Sequence, residues 1–202
     1  MQQRIIGITG GIATGKSTVS NYLHLTYGLP ILDADIYARK ALDSDRLAEI
    51  RDRYGKLIFD DQGNLDRRKL GAIIFESDLE RRWLENLIHP YVQSCLLTDA
   101  EKLAPATIVM VIPLLFEANM EDLVTEIWTV ICDPHRQLAR LIKRNHLSEN
   151  EAKQRISSQM PQSEKAELAD VVIVNNDNNQ ELFFQVDQAL LNSPVGLFLK
   201  IS

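Results

Sequence analysis

The sequence predicts an α/β fold: a parallel five-stranded sheet with helices on both faces, interrupted by an inserted helical subdomain. Three observations lead there. Short β-branched runs alternate with helical patterns along the chain, as right-handed strand–helix–strand crossovers require. A glycine-rich turn joins the first run to the first helix. Between the second and third runs lie roughly seventy residues of helical patterning without a good strand, far more than a simple crossover uses.

The runs are IIGIT (5–9), PILDAD (30–35), TIVMVI (107–112), IWTVICD (127–133) and VVIVN (171–175). Near-continuous apolar strands of this kind suit a parallel sheet covered on both faces. The first helix carries Val19, Leu23 and Tyr27 at four-residue spacing, and Gly28 with Pro30 supplies its stop. In the insertion, DLERRWLENLIHPYVQSCLL places Leu79, Trp83, Leu87, Leu84 and Ile88 on one apolar face, with Pro90 expected to kink or divide the helix. After the fourth strand, Asp133 and Pro134 read as an N-cap followed by proline at the first helical position. Arg136, Arg140 and Arg144 then recur on one helical face. Ser148 and Glu151 have capping-box spacing, so a second helix starts there, with Ala152, Ile156 and Met160 on its apolar stripe.

The chain has 202 residues, enough for one substantial core with small insertions rather than two independent folds. A formal net charge of −6 gives no overall electrostatic footprint for nucleic acid or anionic lipid, so a bound anion must be gripped locally. The two cysteines, Cys95 and Cys132, sit in apolar surroundings without CxxC pairing and read as reduced thiols. The first residues lack a leader-type pattern, and the longest apolar run, IVMVIPLLF, is too short to span a bilayer. The expectation is a cytoplasmic, monomeric protein that binds neither membrane nor nucleic acid.

The segment GGIATGKST (10–18) matches the P-loop pattern Gly-x4-Gly-Lys-Ser, with a strand before it and a helix after it. Its glycines let backbone N–H groups turn around phosphate oxygens, and the helix adds unpaired donors and the positive end of its dipole. The candidate ATP-binding residues are therefore Gly11, Ile12, Ala13, Thr14, Gly15, Lys16, Ser17 and Thr18. Lys16 is placed to reach the β- and γ-phosphates and the Ser17 hydroxyl to ligate Mg²⁺.

This loop also serves switches and motors. A guanine-reading Asn-Lys-x-Asp is absent from the last strand's exit, VNNDNN, and TIVMVI ends in Pro113-Leu114-Leu115 instead of a magnesium carboxylate. A phosphoryl-transfer kinase needs a carboxylate to orient the acceptor hydroxyl or take its proton. Asp33, at the end of the second strand, is the first choice and Asp35 the second, with only one of them expected to face the site. A P-loop kinase acting on another nucleoside or nucleotide, or a non-catalytic nucleotide-binding regulator, remains open at this point.

With the P-loop, DAD (33–35), LDRRKLGAIIF (65–75), LENLIHP (84–90), IPLLFE (112–117), QLARLIKRNHLSENEAKQRISSQ (137–159) and ELADVVIVNN (167–176) in order, the chain resembles the dephospho-CoA kinase family over nearly its whole length. The resemblance implies ATP-dependent phosphorylation of the ribose 3′-hydroxyl of dephospho-CoA, the final step of coenzyme A biosynthesis. It also implies an adenylate-kinase-like core at about 1–36, 104–132 and 166–202, a helical substrate-binding region at about 37–103 and a lid at about 133–165. Asp33 then corresponds to the catalytic base. His89 and the segment Leu114, Leu115, Phe116 and Glu117 lie toward the acceptor, and Arg140, with Arg144 beside it, contacts phosphate. Asn175 is a candidate contact to the adenine or a turn residue, His89 a ligand contact or a cap, and Lys143 and Arg136 part of a solvated face.

The loop departs from the family's common Gly-Gly-Ile-Gly-Ser-Gly-Lys at Ala13 and Thr14. A positive φ at Ala13 would cost about 1 kcal/mol or more, so an alanine-compatible conformation is expected there. Asn176-Asp177-Asn178 stands where a glycine is frequent, and these residue types tolerate left-handed geometry.

Overall fold

The computed structural model describes residues 3–43, 45–60, 62–103, 106–176 and 178–192. Asp177 of the final turn, and positions 1–2, 104–105 and 193–202 of the expected core segments, lie outside the described residues.

The sheet contains β1 (Arg4–Thr9), β2 (Ile31–Asp33), β3 (Thr107–Val111), β4 (Glu126–Ile131) and β5 (Val171–Val174), in the order β2-β3-β1-β4-β5. Every pairing is parallel, with Ile8 opposite Val111 on one side and Trp128 on the other. β1 is therefore central, and all five strands deliver their carboxyl ends to one edge, where ligands bind in open α/β sheets.

Strand alternation sorts the core into two faces. Ile6, Ile8, Val109, Val111, Trp128, Val130 and Ile173 pack with Val19 and Leu23 of α1 (Lys16–Tyr27) and with Leu182, Val186 and Leu190 of α9 (Asn179–Asn192). Each such side chain, fully withdrawn from water, contributes about 1.5–3 kcal/mol. On the opposite face a Cβ on Gly7 would meet Val124 and Leu115 at 2.9–3.1 Å, so only glycine lets that layer approach β1. Tyr27 departs from the expected buried stripe of α1. It is 39% exposed, because it closes the helix, and its hydroxyl donates to Asp187 at 2.7 Å alongside that of Tyr22.

At the amino edge of the sheet, Arg4 and Glu126 form a buried ion pair at 2.6 Å, and Arg4 also donates to Leu190 O. Removing one partner strands the other charge in the core. Arg4→Ala is expected to cost about 3–5 kcal/mol, a fall in Tm of about 10 °C in a chain of this size. Thermal unfolding measured beside the Arg4→Met/Glu126→Leu double variant checks this, because the pair removed together should cost far less.

The described residues form two compact units, one ending at Asp33 and resuming at Ala100, the other Ala34–Asp99. The second holds α2 (Ala34–Ala41), α3 (Arg46–Tyr54), α4 (Arg67–Glu76) and most of α5 (Asp78–Lys102). Within it Glu80 accepts both nitrogens of Arg53 and the Tyr54 hydroxyl, which pushes its carboxyl down to about 2. Two expectations are narrowed here. Of the kink or division expected at Pro90, division does not occur, for helix α5 runs on through it; the Arg46 guanidinium donates to Leu87 O at 3.2 Å and stacks on Tyr91, next to the Asn86 carbonyl that proline deprives of its helical donor. Leu79 is 70% exposed, since it lies in the first turn of α5, while Leu84 and Ile88 carry the buried stripe.

Between β4 and β5 come α6 (Pro134–Asn145), α7 (Glu149–Ser157) and α8 (Gln162–Glu167). Asp133 caps α6 by accepting from His135 and Arg136 N–H, and the Ser148–Glu151 capping box opens α7. Met160 falls beyond the end of α7, so its stripe stops at Ile156.

Candidate functional site

The loop from Gly10 to Gly15 leaves the carboxyl end of central β1 and feeds α1, whose amino end has no side-chain cap and no acidic residue in its first turn. Orphan N–H donors and the helix dipole are thus left facing whatever occupies the loop, which suits an anion. Gly10 and Gly15 have φ of 139° and 110°. A Cβ on Gly10 would strike the Val130 carbonyl and one on Gly15 the Asn175 amide. Gly10→Ala combines a backbone collision with a left-handed strain. It is expected to cost about 3 kcal/mol or more and to abolish the rise in Tm that ATP confers, read by thermal unfolding with and without nucleotide.

Ala13 contradicts the expectation of an alanine-compatible conformation: its φ is +62°. The strain of about 1 kcal/mol is accepted rather than avoided. Partners around it hold the loop in that shape. Thr14, fully buried, donates its hydroxyl to Gly11 O at 2.9 Å, and Thr18 N–H donates to Gly15 O. Lys16 Nζ donates to Gly10 O at 2.8 Å and Gly11 O at 2.9 Å, so its charge sits over the mouth of the loop. Ser17 is exposed at the first turn of α1.

Asn175 is buried and donates to Thr14 O at 2.8 Å. Its amide nitrogen thus serves the loop backbone directly. Asn176 accepts from Asp133 N–H at 2.6 Å and ties β5's exit to the start of α6.

Asp33 is the last residue of β2, in register with Val111, which is itself opposite Ile8. β3 therefore separates β2 from β1, and Asp33 shares the loop's edge two strand spacings away, about 10 Å. A continuing strand would place Asp33 and Asp35, as residues i and i+2, on one face. The strand ends at Asp33, and Asp35 lies exposed in the first turn of α2.

Of the arginine stripe on α6, Arg136 and Arg144 are exposed and Arg144 donates to its neighbour Asn145. Arg140 turns inward, and its Nη1 is buried without a hydrogen-bond partner. It lies beside Cys132, whose thiol burial pushes up and the guanidinium pulls partly back. An inward cation with a spare donor is what a phosphate contact requires.

The IPLLFE segment divides. Leu115 and Phe116 are core, at 0% and 7% exposure, with Leu115 taken up by the layer against Gly7; Leu114 is half-buried. Glu117 accepts from Met160 N–H and from fully buried Lys165 at 2.9 Å. His89 is half-buried, with burial pushing its imidazole down and Glu85 opposing.

Sequence reasoning missed four residues here: Lys165, which also donates to Pro113 O, and Gln137, Gln159 and Gln162, which reach the loop and the β4 exit. No periodicity marks a glutamine or lysine for burial, and only a partner distant in sequence explains them.

A family model described as dephospho-CoA kinase matches residues 4–181. A dephospho-CoA kinase of Trichormus variabilis is 54% identical over 94% of this chain and 98% of its own length. A crystal structure from Thermus thermophilus superposes with a TM-score of 0.84 at 31% identity, covering 95% of this chain and 97% of that one. The dephospho-CoA kinase from Campylobacter jejuni does so at 0.66 and 27%, covering 94% and 96%. A strand–loop–helix phosphate cradle, a carboxylate at the same sheet edge and an inward arginine thus accompany similarity over nearly the full length, and the chain belongs to the dephospho-CoA kinase family.

Proposed function

We propose that the chain transfers the γ-phosphate of ATP to the ribose 3′-hydroxyl of dephospho-CoA, giving coenzyme A and ADP. The observation that carries this is the placement of Asp33 at the loop's own sheet edge, about 10 Å from β1, with Val111 in register between Asp33 and Ile8. Loop amides and the α1 amino end hold the phosphates, and Lys16 places a mobile charge on them. Asp33 accepts the proton of the attacking hydroxyl as the oxygen bonds to phosphorus. Arg140 neutralises charge developing on the transferring group.

Mg²⁺ fits the donor set in one way. Among the described residues no cluster of three His, Cys, Asp or Glu could hold a metal, but the exposed Ser17 hydroxyl is a hard oxygen donor where the β- and γ-phosphates would lie. Bound there with the nucleotide, Mg²⁺ supplies charge neutralisation to the phosphates. The helical insertion, with His89 and Asp35 as candidate contacts, takes the coenzyme. Segment 133–165 acts as the lid, with its ends tied down by Gln137, Gln159 and Gln162.

No helix among the described residues is long and apolar enough to cross a membrane. The test is transfer from ATP with Mg²⁺ to dephospho-CoA, product identified by mass, beside adenosine and AMP. Selective formation of coenzyme A is expected; transfer only to adenosine or AMP would assign the site to another small-molecule kinase.

A further inference from the structure

The two peptides at the tip of the phosphate loop are gripped by glutamines far along the chain. Gln137 Nε2 donates to Ile12 O at 2.9 Å, and Ile12 N–H donates to Gln159 Oε1 at 2.7 Å. Gln137 is 2% exposed and is itself held by Gln162, whose Nε2 donates to Gln137 Oε1 at 2.8 Å. Gln162 Oε1 accepts from Cys132 N–H at 2.8 Å.

The sense of this relay is fixed at both ends. A backbone N–H at Cys132 can only donate and a carbonyl at Ile12 can only accept, so neither amide can be flipped without breaking a bond. In a trans peptide the C=O and the following N–H point in opposite directions. Anchoring Ile12 O on Gln137 therefore turns Ala13 N–H away from the relay. The preceding peptide points the other way: Ile12 N–H goes out to Gln159, and Gly11 O turns in to accept from Thr14 Oγ1 and Lys16 Nζ. Ala13 takes its φ of +62° between the Ile12–Ala13 peptide, which Gln137 anchors, and the following peptide, which leads into buried Thr14.

We propose that Gln137, oriented by Gln162 and assisted by Gln159, is a positioning residue that aims the Ala13 amide into the phosphate cradle and holds Ala13 in the left-handed region it would otherwise leave. This rests on ATP occupying the glycine loop, as argued above. Without the relay Ala13 relaxes to negative φ, the amide turns away, and ATP must select a rare conformer. Loss of one such bond corresponds to about tenfold in affinity.

The experiment is steady-state kinetics and ATP calorimetry on full-length Gln137→Met, which conserves volume, in the wild-type background and in Ala13→Gly. Glycine adopts positive φ without strain, so the loop then no longer depends on the relay. The expected result is an ATP KM raised about tenfold with the KM for dephospho-CoA within twofold, and a penalty that shrinks to threefold or less in the Ala13→Gly background. An ATP KM within twofold of wild type, or an equal penalty in both backgrounds, would overturn the proposal and leave Gln137 a structural brace. If Gln137→Met does not fold, Gln162→Met, which leaves the loop contact in place but unoriented, is expected to raise the ATP KM about threefold; an unchanged value overturns the proposal equally. Calorimetric ATP affinity reads the inference even where transfer to dephospho-CoA is absent, so the two failures are separable.

Discussion

Asp33→Asn lowers kcat by about 10²-fold or more while leaving ATP affinity near wild type. Asparagine keeps the size of the side chain at the end of β2, but its amide cannot accept the hydroxyl proton as the phosphorus–oxygen bond forms. Since Asp33 stands two strands from the loop, its loss does not disturb the contacts that hold the phosphates. Rapid-quench turnover and ATP calorimetry on the same preparation check both halves. Near-normal turnover would remove Asp33 from the chemistry and turn attention to Asp35.

Lys16→Met is expected to lower kcat/KM by about 10²–10³-fold, the loss typical when one preorganised donor to a developing charge is removed. Unlike Asp33→Asn, it should also weaken ATP binding, because the lysine touches phosphate in the ground state as well as in the transition state. The loop itself should survive. Gly11 O still accepts from Thr14, Thr14 O from Asn175 and Ile12 O from Gln137, so Tm is expected to change little. Lys16→Arg should recover only part of the rate, since a planar fork does not replace a compact ammonium. An unchanged kcat/KM in Lys16→Met would contradict the assignment.

How much of this was legible in the chain depends on whether the partners of a residue are near it in sequence. The five strands and the first helix could be read from apolar runs and a glycine motif. The Asp133 cap and the Ser148–Glu151 box were legible because a cap and its N–H partners are at most three residues apart. Leu115 and Phe116 could not be assigned to core or pocket from the sequence, since both are apolar and only tertiary packing buries them. That Asn175 also braces the loop through Thr14 O was not legible, since the two lie 161 residues apart. That Asp33 closes a strand was legible, but that β3 lies between β2 and β1 is a matter of strand order.

The sequence by itself determined that a phosphate loop joins a buried strand to a helix, that a helical insertion follows the second strand, and that two capped helices carry arginines. Those features depend on steric rules and hydrogen bonds spanning a few residues. Only the tertiary structure decided that Ala13 is left-handed, that Arg140 alone of its stripe turns inward, and that Gln137 and Gln159 hold Ile12 across 125 and 147 residues. A buried amide must find a partner wherever packing supplies one, and no local pattern names that partner in advance.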